Sequence, residues 1–367
     1  MKKEFCAERL KSARLAAGLS LEELSVLCGR IVSRQSLSNY ETGRMSPRES
    51  SLDKVAKALG VSPEYFKNKG FTIDMPALRS TSNKPLSSEE EKQLQNTLTY
   101  LAERYINSEK QAQITTAFHN PLQGFSVANQ QQAEQAALSL REHWQLGNGA
   151  ITSVCRLFER KGIKVMEADL PKEILGLSTW GEEKYPLIVL NIDRRLTTSE
   201  RTRFTLLHEL GHLLLTISPS DDPERLCNQF AACFLLPRAT LIEEIGSQRD
   251  FITLEEAIDL HTTYGISVAA LIHQMKDLCI ISIEHYNYWF DEIISKNKTE
   301  QGWGEYPFDE RPQREKRLNA IINHNNKNNH TPQQTNPPPH IKQAPVLQGK
   351  TQHAMDEGGV RRNLATD

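Results

Sequence analysis

The chain of 367 residues lacks several features that would assign it to familiar classes of protein. No segment has the 18 or so largely apolar residues that a membrane-spanning helix needs, and the amino terminus has no uninterrupted apolar stretch of an export signal. The six cysteines form neither a Cys-x-x-Cys pair nor a disulfide framework, which favours reduced, mostly buried thiols. A glycine-rich phosphate loop is also missing. We therefore expect a cytoplasmic protein without membrane contacts or nucleotide chemistry.

Charge is unevenly distributed along the chain. Residues 1–70 contain 13 Lys or Arg and 8 Asp or Glu, a net charge of +5, whereas the whole chain has a net charge of −2. A basic segment of this kind is consistent with phosphate contacts, although scattered basic residues most often belong to a solvated surface. The hydrophobic content of 38% over this length is enough for two small domains and a tail.

Five short helices are predicted within residues 1–70 from their start and stop signals. The first ends at Gly18, the second opens with a capping box at Ser20–Glu23, the third spans 33–41, the fourth spans 51–59, and the fifth starts at Ser62. The stretch SLEELSVLCGRIVSRQSLSNYETGRMSP resembles the Cro/C1-type (XRE) helix-turn-helix domain, with a recognition helix that ends in Tyr-Glu-x-Gly. Arg30-Ile31 lengthen the turn by two residues relative to the commonest form.

This resemblance implies that double-stranded DNA is a partner and that the third helix contacts it. The residues that fall on the contact positions are Arg34, Gln35, Ser36 and Asn39. Their chemistry is suitable, because Arg can bind guanine, Gln and Asn can bind adenine, and Ser can hold a phosphate. Glu41 is predicted to brace the domain internally. The resemblance also implies a possible homodimer on two operator half-sites.

A second motif lies in the stretch RFTLLHELGHLLL, residues 203–215. On a helix, His208 and His212 are one turn apart on one face, with Glu209 beside them, inside an otherwise apolar segment. His-Glu-x-x-His on a helix is the arrangement in which two histidines bind zinc and the glutamate acts as general base. From the His and acid content, at most about 0.04 accidental matches are expected in the chain. Gly211, a poor helix residue, suggests that something packs closely against the backbone of this helix.

A catalytic zinc site also needs a third protein ligand. The nearest good candidate is Glu224, at the start of the predicted helix DPERLCNQFAACFLLP, residues 222–237, where an acid is also favoured simply by the helix dipole. TxxRFTLLHELGHLLL followed by ExxCNQFAACFLLP resembles the ImmA/IrrE family of metallopeptidases. That resemblance implies a Zn²⁺ cofactor, His208, His212 and Glu224 as ligands, and Glu209 as the catalytic base. Asp221 and Asp222 are the alternative third ligands.

The predicted fold class is α+β: an all-α helix-turn-helix domain, then a mostly helical zincin-like domain with a small β-sheet, then a disordered carboxyl-terminal tail. The predicted boundaries are 1–70 for the first domain, 71–134 for a linker and connecting helix, 135–285 for the metallopeptidase-like domain, and 297–367 for a low-complexity tail. The connecting helix, from Ser87 to about Lys110, has an apolar stripe that would dock on the peptidase domain, the commoner outcome, or pair with another chain. A loose loop is expected over 113–132.

Three functions compete. The favoured one is a DNA-binding transcriptional regulator with a zinc-dependent endopeptidase domain that cleaves a partner regulatory protein, such as a repressor or a toxin. The alternatives are a non-proteolytic XRE-type repressor with a structural or sensory zinc site, and an antitoxin-like protein that acts by binding. An intact Glu209 favours the first, because a structural zinc site has no use for a base.

Overall fold

The computed structural model describes residues 5–67, 71–74, 87–193, 198–218 and 222–328. Over these ranges its fold class is α+β, with an all-helical amino-terminal part and a mostly helical body that contains two small sheets. Within the described residues, no helix combines the length and the apolar composition needed to cross a bilayer.

Within residues 5–67, the amino-terminal part consists of four α-helices and one 3₁₀-helix, as the sequence predicts. Ser20 and Glu23 form the predicted capping box, and Gly60 ends the fourth helix in the left-handed conformation (φ 68°). The elements are α1 (Ala7–Ala16), α2 (Leu21–Leu27), α3 (Arg34–Glu41), α4 (Glu49–Leu59) and the 3₁₀-helix Pro63–Lys67.

The turn between α2 and α3 shows how the two additional residues are accommodated. Gly29 and Arg30 both have positive φ (68° and 57°), so the chain makes a compact left-handed turn. The Ser25 hydroxyl donates to the Val32 carbonyl (2.8 Å), and Val32 is buried while Ile31 is 65% exposed. The two additional residues therefore bulge toward solvent, and α3 still packs on the core through Leu37.

The connecting helix α5 (Ser88–Ala112) starts at a capping box formed by Ser87 and Glu90. Its predicted apolar stripe is buried, which confirms docking within this chain: the members are Leu94, Leu98, Leu101 and Tyr105. Glu103 of α5 accepts hydrogen bonds from Arg9 of α1 (2.6 Å) and from the Phe71 backbone (3.3 Å). α5 therefore joins the amino-terminal helices to the rest of the molecule.

The remaining elements build the larger part of the molecule. They are β1 (Ser126–Val127), α6 (Gln130–His143), α7 (Val154–Lys161), β2 (Lys164–Ala168), β3 (Gly176–Gly181), β4 (Tyr185–Asn191), α8 (Ser199–Leu214), β5 (Thr216–Ile217), α9 (Pro223–Leu235), α10 (Arg238–Ile245), α11 (Leu254–Tyr264), α12 (Val268–Asp277), α13 (Ile283–Tyr288), the π-helix Trp289–Ile294 and α14 (Arg314–Asn328).

The three-stranded sheet separates two hydrophobic cores. Its order is β2-β4-β3, with β2 parallel and β3 antiparallel to β4. Val165 and Ile188 face the core that contains α8 and α9, whereas Leu177 and Leu187 face the core formed with α5 and the amino-terminal helices. Because side chains alternate along a strand, both faces of this sheet are covered.

The loop predicted over 113–132 is wrong in its second half. β1 pairs in parallel with β5, and Val127 is fully buried in the core. α6 already begins at Gln130, because the Asn129 side chain accepts from the Gln132 backbone and caps the helix. The pairing partner of β1 lies 90 residues further along, so the local composition does not reveal it.

The tail predicted from residue 297 is wrong for 297–328, and 329–367 lie outside the described residues. Trp303, Tyr306 and Leu318 are buried, and α14 packs on α5 with Arg104 and Glu315 paired at 2.5–2.8 Å. This segment has few apolar residues of its own. It is ordered because it docks on a core that the preceding domain has already built.

Candidate metal centre

The helix α8 carries the His-Glu-x-x-His motif. Its amino terminus is capped by the Thr198 side chain, and Leu206, Leu207 and Leu210 are fully buried. His208 and His212 lie one turn apart, and their Nε2 atoms are 3.0 Å from each other. The two imidazoles therefore point at one place beside the helix, as the motif predicts.

The helix α9 brings a carboxylate to the same place. α8 and α9 pack so closely at Gly211 that a Cβ there would lie 3.0 Å from Cys227 Sγ and 3.3 Å from its Cα. The predicted close approach at Gly211 is thereby confirmed. One turn before Cys227, Glu224 places Oε2 3.2 Å from His208 Nε2 and Oε1 3.5 Å from His212 Nε2.

The spacing of these donor atoms fits a tetrahedral metal ion. The ligand atoms of His208, His212 and Glu224 lie within 4.8 Å of one another. A zinc ion about 2.0–2.1 Å from each donor would hold neighbouring donors about 3.3–3.4 Å apart. The two Nε2 atoms are 3.0 Å apart, one Glu224 oxygen lies 3.2 Å from His208 Nε2, and the other lies 3.5 Å from His212 Nε2. Two imidazole nitrogens and one carboxylate oxygen are also a donor set that catalytic zinc sites use.

Electrostatics keep the three groups together. Hydrogen bonds from His208 and His212 hold the pKa of the Glu224 carboxyl far below its usual range. Burial of His208 disfavours its charged form, but the hydrogen bond to Glu224 and the nearby charge of Glu209 outweigh burial and raise the pKa of the imidazole. A metal ion that binds here would replace the protons that these nitrogens share with the carboxylate.

Asn228 orients the first histidine. Its Oδ1 lies 2.8 Å from His208 Nδ1, and since an amide oxygen only accepts, Nδ1 must donate. With Nδ1 held as a donor, Nε2 is directed toward His212 and Glu224, and its lone pair would become available to a metal ion that replaces the proton shared with the carboxylate; protein side chains commonly fix a metal-binding imidazole in this way. Asn228 was missed as a functional residue, although its position one turn after Glu224 on the same face was visible in the sequence.

Ser178 of β3 contacts the motif's glutamate. The Ser178 hydroxyl donates to Glu209 Oε2 (2.7 Å). β3 can approach α8 this closely because Gly176 has no side chain: a Cβ there would lie 2.7 Å from Thr205 Cγ2. No pattern in the sequence indicates this contact, since Ser178 and Glu209 are 31 residues apart on different elements.

These groups line one cleft with a volume of about 640 Å³. Its lining residues come from β3, α8 and the start of α9. Asp74, from the connection between the amino-terminal helices and α5, also lines it. Three potential ligands and Glu209 thus face a space large enough for part of a peptide.

The alternative third ligands have different outcomes. Asp222 caps α9, where its side chain accepts from the Arg225 backbone (3.2 Å), and it does not belong to the cluster of His208, His212 and Glu224. Asp221 lies outside the described residues.

The predicted DNA-contact residues lie on one side of α3. Arg34 and Gln35 are exposed, Ser36 and Asn39 are half-buried, and Leu37 on the other side is buried in the core. The Gln35 amide donates to Asn39 Oδ1 at 3.4 Å.

The end of α3 is fixed by an ion pair. Arg14 donates to both carboxylate oxygens of Glu41 (2.6 and 2.9 Å), and both side chains are at most 10% exposed. The predicted internal bracing role of Glu41 is confirmed.

Comparison with protein families agrees with both halves of this description. Residues 10–66 match the family model for a helix-turn-helix, and residues 158–276 match the model of a peptidase family described as the IrrE N-terminal-like domain. The chain joins a helix-turn-helix domain to an IrrE-like domain. Searches of curated proteins and of solved structures returned no match.

The matched ranges contain the residues singled out above. Arg34 to Glu41 lie inside the helix-turn-helix match, and His208, Glu209, His212 and Glu224 lie inside the IrrE-like match. The second match supports a metallopeptidase-like domain and implies a metal cofactor, typically zinc. The first is the signature of a DNA-binding regulator.

Proposed function

We propose that this protein is a DNA-binding transcriptional regulator whose IrrE-like domain is a zinc-dependent endopeptidase that cleaves a partner regulatory protein, such as a repressor or a toxin. One observation carries the peptidase part: His208, His212 and Glu224 converge at 3.0–3.5 Å while Glu209, held by Ser178, faces the same cleft.

In this proposal His208, His212 and Glu224 hold the zinc ion, and Glu209 is the base. When bound, zinc would supply the Lewis acidity that polarises a peptide carbonyl and makes a water molecule more acidic. Glu209 accepts the proton of the attacking water and returns it to the leaving amine. Ser178 donates to one oxygen of this carboxylate, which fixes its orientation and leaves the other oxygen to accept the proton.

The geometry favours a catalytic site over a structural or sensory one. Structural zinc sites close the fourth position with another protein ligand, whereas catalytic sites leave it open. Among the described residues the cluster of potential ligands has three members, and it borders the 640 Å³ cleft. The position of Glu209 in that cleft is what a non-proteolytic repressor or an antitoxin-like protein would not require.

The DNA-binding part rests on α3. Arg34, Gln35, Ser36 and Asn39 share its outer side, while Leu37 and Tyr40 anchor it in the core and Arg14 braces its end. We infer that this side enters the major groove of an operator, where Arg, Gln and Asn can bind base edges. The resemblance to Cro/C1-type domains supports a homodimer on two half-sites.

The decisive experiment removes the base and keeps the metal. Glu209→Gln retains the size and the hydrogen-bonding shape but accepts no proton. We expect its zinc content to equal that of the unaltered protein, while the appearance of new amino termini in an extract of host-cell proteins slows by about two to four orders of magnitude. Zinc is measured by mass spectrometry, and new amino termini by chemical labelling.

The matched control is Glu243→Gln, which makes the same change at an exposed position on α10. It should leave both zinc content and cleavage unchanged. Loss of zinc from Glu209→Gln would make Glu209 a ligand instead of a base. Equal cleavage by both variants, or none by the zinc-loaded unaltered protein, would contradict the peptidase proposal.

A further inference from the structure

Residues 71–74 attach the interdomain connection to the three-stranded sheet. The ring of Phe71 stacks on Tyr185 of β4, with 6.2 Å between the centroids, and lies against Gly181, where a Cβ would be 2.6 Å from it. Ile73 forms an antiparallel bridge with Gly181 and is 7% exposed. Packing and backbone pairing together therefore fix the place and the direction in which the chain passes the end of β3.

The antiparallel pairing determines where the chain is directed next. Asp74 N donates to Trp180 O (3.0 Å), and the Thr179 hydroxyl donates to the Asp74 carbonyl. In an antiparallel pair, each step forward in one strand is a step backward in the other. The pairing therefore directs the chain after Asp74 along β3 toward Gly176, and since Asp74 itself lines the cleft, this direction leads into the cleft.

The proposed catalytic base lies a short distance along this path. Ser178, two residues before Trp180 on β3, donates to Glu209 (2.7 Å). At Gly176, a Cβ would lie 3.6 Å from Glu209 Cγ. Since a strand rises about 3.3 Å per residue, about 7 Å separates Asp74 from the level of Ser178, and about 13 Å from that of Gly176. About two to four residues beyond Asp74 are therefore enough to reach Glu209.

The segment that follows has the length and the composition for this role. Residues 75–86, MPALRSTSNKPL, separate Asp74 from Ser87, the cap of α5. These twelve residues span at most about 40 Å, three times the path from Asp74 to the level of Gly176. Pro76 and Pro85 disfavour a helix, and peptides add to the edge of a sheet in extended form. The cleft thus has a candidate substrate within its own chain.

We propose that the cleft acts on this chain itself, and that its substrate is the segment 75–86 between the DNA-binding helices and α5. The inference rests on the proposed peptidase function and names the substrate. The register of residues 72–74, continued along β3, places the scissile bond among residues 75–79. There the oxygen of a water molecule bonds to the carbonyl carbon, and the bond from that carbon to the next nitrogen breaks. Glu209 transfers one proton from the water to that nitrogen, so the products are a carboxylic acid and an amine.

Self-cleavage gives the two-domain arrangement a regulatory use. The uncut chain joins residues 1–74 covalently to α5. After the cut, non-covalent contacts hold the two parts, among them the ion pair of Arg9 with Glu103 (2.6 Å) and the core that α5 shares with the amino-terminal helices. The DNA-binding helices can then dissociate. A tethered segment also has an effective concentration of about 1 mM, which a dilute partner protein does not reach.

The first test follows the mass of the full-length protein after zinc is added to the metal-free form. We expect two fragments with their junction within 75–86. Because the reaction is intramolecular, its rate constant should stay the same over a roughly 100-fold range of protein concentration. Zinc-loaded Glu209→Gln should react slower by about two to four orders of magnitude, and the control Glu243→Gln should react at the rate of the unaltered protein.

The second test loosens the attachment of residues 71–74. Phe71→Ala removes the ring that packs on Tyr185, and the poorer placement of the segment should slow self-cleavage at least about 10-fold. Phe71→Tyr keeps the ring and should react like the unaltered protein. So should the control Phe251→Ala, which removes an exposed phenylalanine from another part of the chain. Equal zinc content shows that the variants are folded.

A third measurement needs no turnover. In zinc-loaded Glu209→Gln, a fluorescently labelled peptide that copies residues 70–86 has to compete with the tethered segment for the cleft. Adding Phe71→Ala lowers the effective concentration of the tethered copy and should tighten binding of the free peptide by roughly 3- to 10-fold, as measured by fluorescence anisotropy. Adding Phe251→Ala should leave the binding unchanged.

The outcomes separate self-cleavage from the peptidase function itself. New amino termini in an extract of host-cell proteins, while the regulator stays intact, contradict self-cleavage and leave the peptidase standing. The absence of both reactions contradicts the peptidase and self-cleavage with it. A junction outside 75–86, or a rate constant that falls in proportion to dilution, overturns the intramolecular assignment. Equal self-cleavage by Phe71→Ala and Phe251→Ala overturns the placement of the segment by residues 71–74.

Discussion

The two helices proposed to carry function, α3 and α8, are held in similar ways but present their residues differently. Each is fixed by an Arg–Glu pair: Arg14 with Glu41 for α3, and Arg203 with Glu310 for α8. On α8 the functional side chains converge with Glu224 on one point, whereas on α3 they spread over an outward side. The distances between side chains at the α8 site test by themselves whether those groups could hold one ligand. The side chains of α3 point apart, so their proposed role can be tested only with DNA bound.

The Arg203–Glu310 ion pair of α8 is also more deeply buried than the Arg14–Glu41 ion pair of α3. Arg203 is 0% and Glu310 1% exposed, against 10% and 6% for Arg14 and Glu41. Arg203 further donates to the carbonyls of Ile151, Tyr264 and Gly265 (2.7–3.1 Å). The helix that carries the metal motif is therefore tied to three distant parts of the chain, and its position depends on all of them.

The largest effect is expected from Glu310→Gln. This change leaves the buried guanidinium of Arg203 without a countercharge, which should lower the free energy of unfolding by about 3–5 kcal/mol. Urea denaturation measures it. The neighbouring Asp309→Asn is the control, since its ion pair with Arg311 is exposed and should contribute less than about 1 kcal/mol. If both changes lower the free energy of unfolding by the same amount, burial of the Arg203–Glu310 ion pair does not increase its contribution to stability.

The next effect concerns Glu224, the proposed third ligand. Glu224→Gln should weaken zinc binding by more than about 100-fold, since removal of a direct ligand must exceed the cost of altering a supporting residue. Titration against a competing zinc chelator measures the affinity. Asp222→Asn should bind zinc normally, because Asn is an equally good helix cap. Weak zinc binding by Asp222→Asn together with normal zinc binding by Glu224→Gln would make Asp222 the ligand instead of Glu224.

A smaller effect is expected at the residue that orients His208. Asn228→Ala removes the acceptor for Nδ1–H and should weaken zinc binding by about 10- to 100-fold. Asn228→Asp retains an acceptor oxygen and should stay near the affinity of the unaltered protein. If Asn228→Ala binds zinc as tightly as Asn228→Asp, the hydrogen bond at 2.8 Å does not position the ring.

The features that were predicted correctly depend on residues that lie close together in the sequence. The capping boxes at Ser20 and Ser87, the glycine that ends α4 and the apolar stripe of α5 all follow from spacings of a few residues. The spacing of His208 and His212 on one helix is of the same kind, and Gly211 correctly indicated a close neighbour. The position of Glu224 beside the histidines could not be predicted from such spacings, because it depends on how α8 and α9 pack. That prediction came from the family resemblance.

What the sequence did not reveal depends on contacts between distant segments. Ser178 meets Glu209, and Asp74 meets β3, only because the sheet packs on α8 and the interdomain connection packs on the sheet. The segment after 297 was predicted to be loose on its polar composition. Glu310 instead accepts from the Val154 and Cys155 backbone at the start of α7, so specific long-range hydrogen bonds replace a local core.

The smallest effect is expected on α3, where the comparison with α8 can be made sharper. Gln35→Ala in the full-length protein should reduce the preference for a duplex selected from a random pool, over a scrambled duplex, by about 1 kcal/mol, the lower end for a base contact. Lys2→Ala, which removes a charge from the basic segment, should weaken binding to both duplexes equally. Fluorescence anisotropy over a range of salt concentrations measures both quantities. Because phosphate contacts release counterions, affinity must fall as salt rises, and binding that is indifferent to salt would contradict a DNA-binding role for this side of α3.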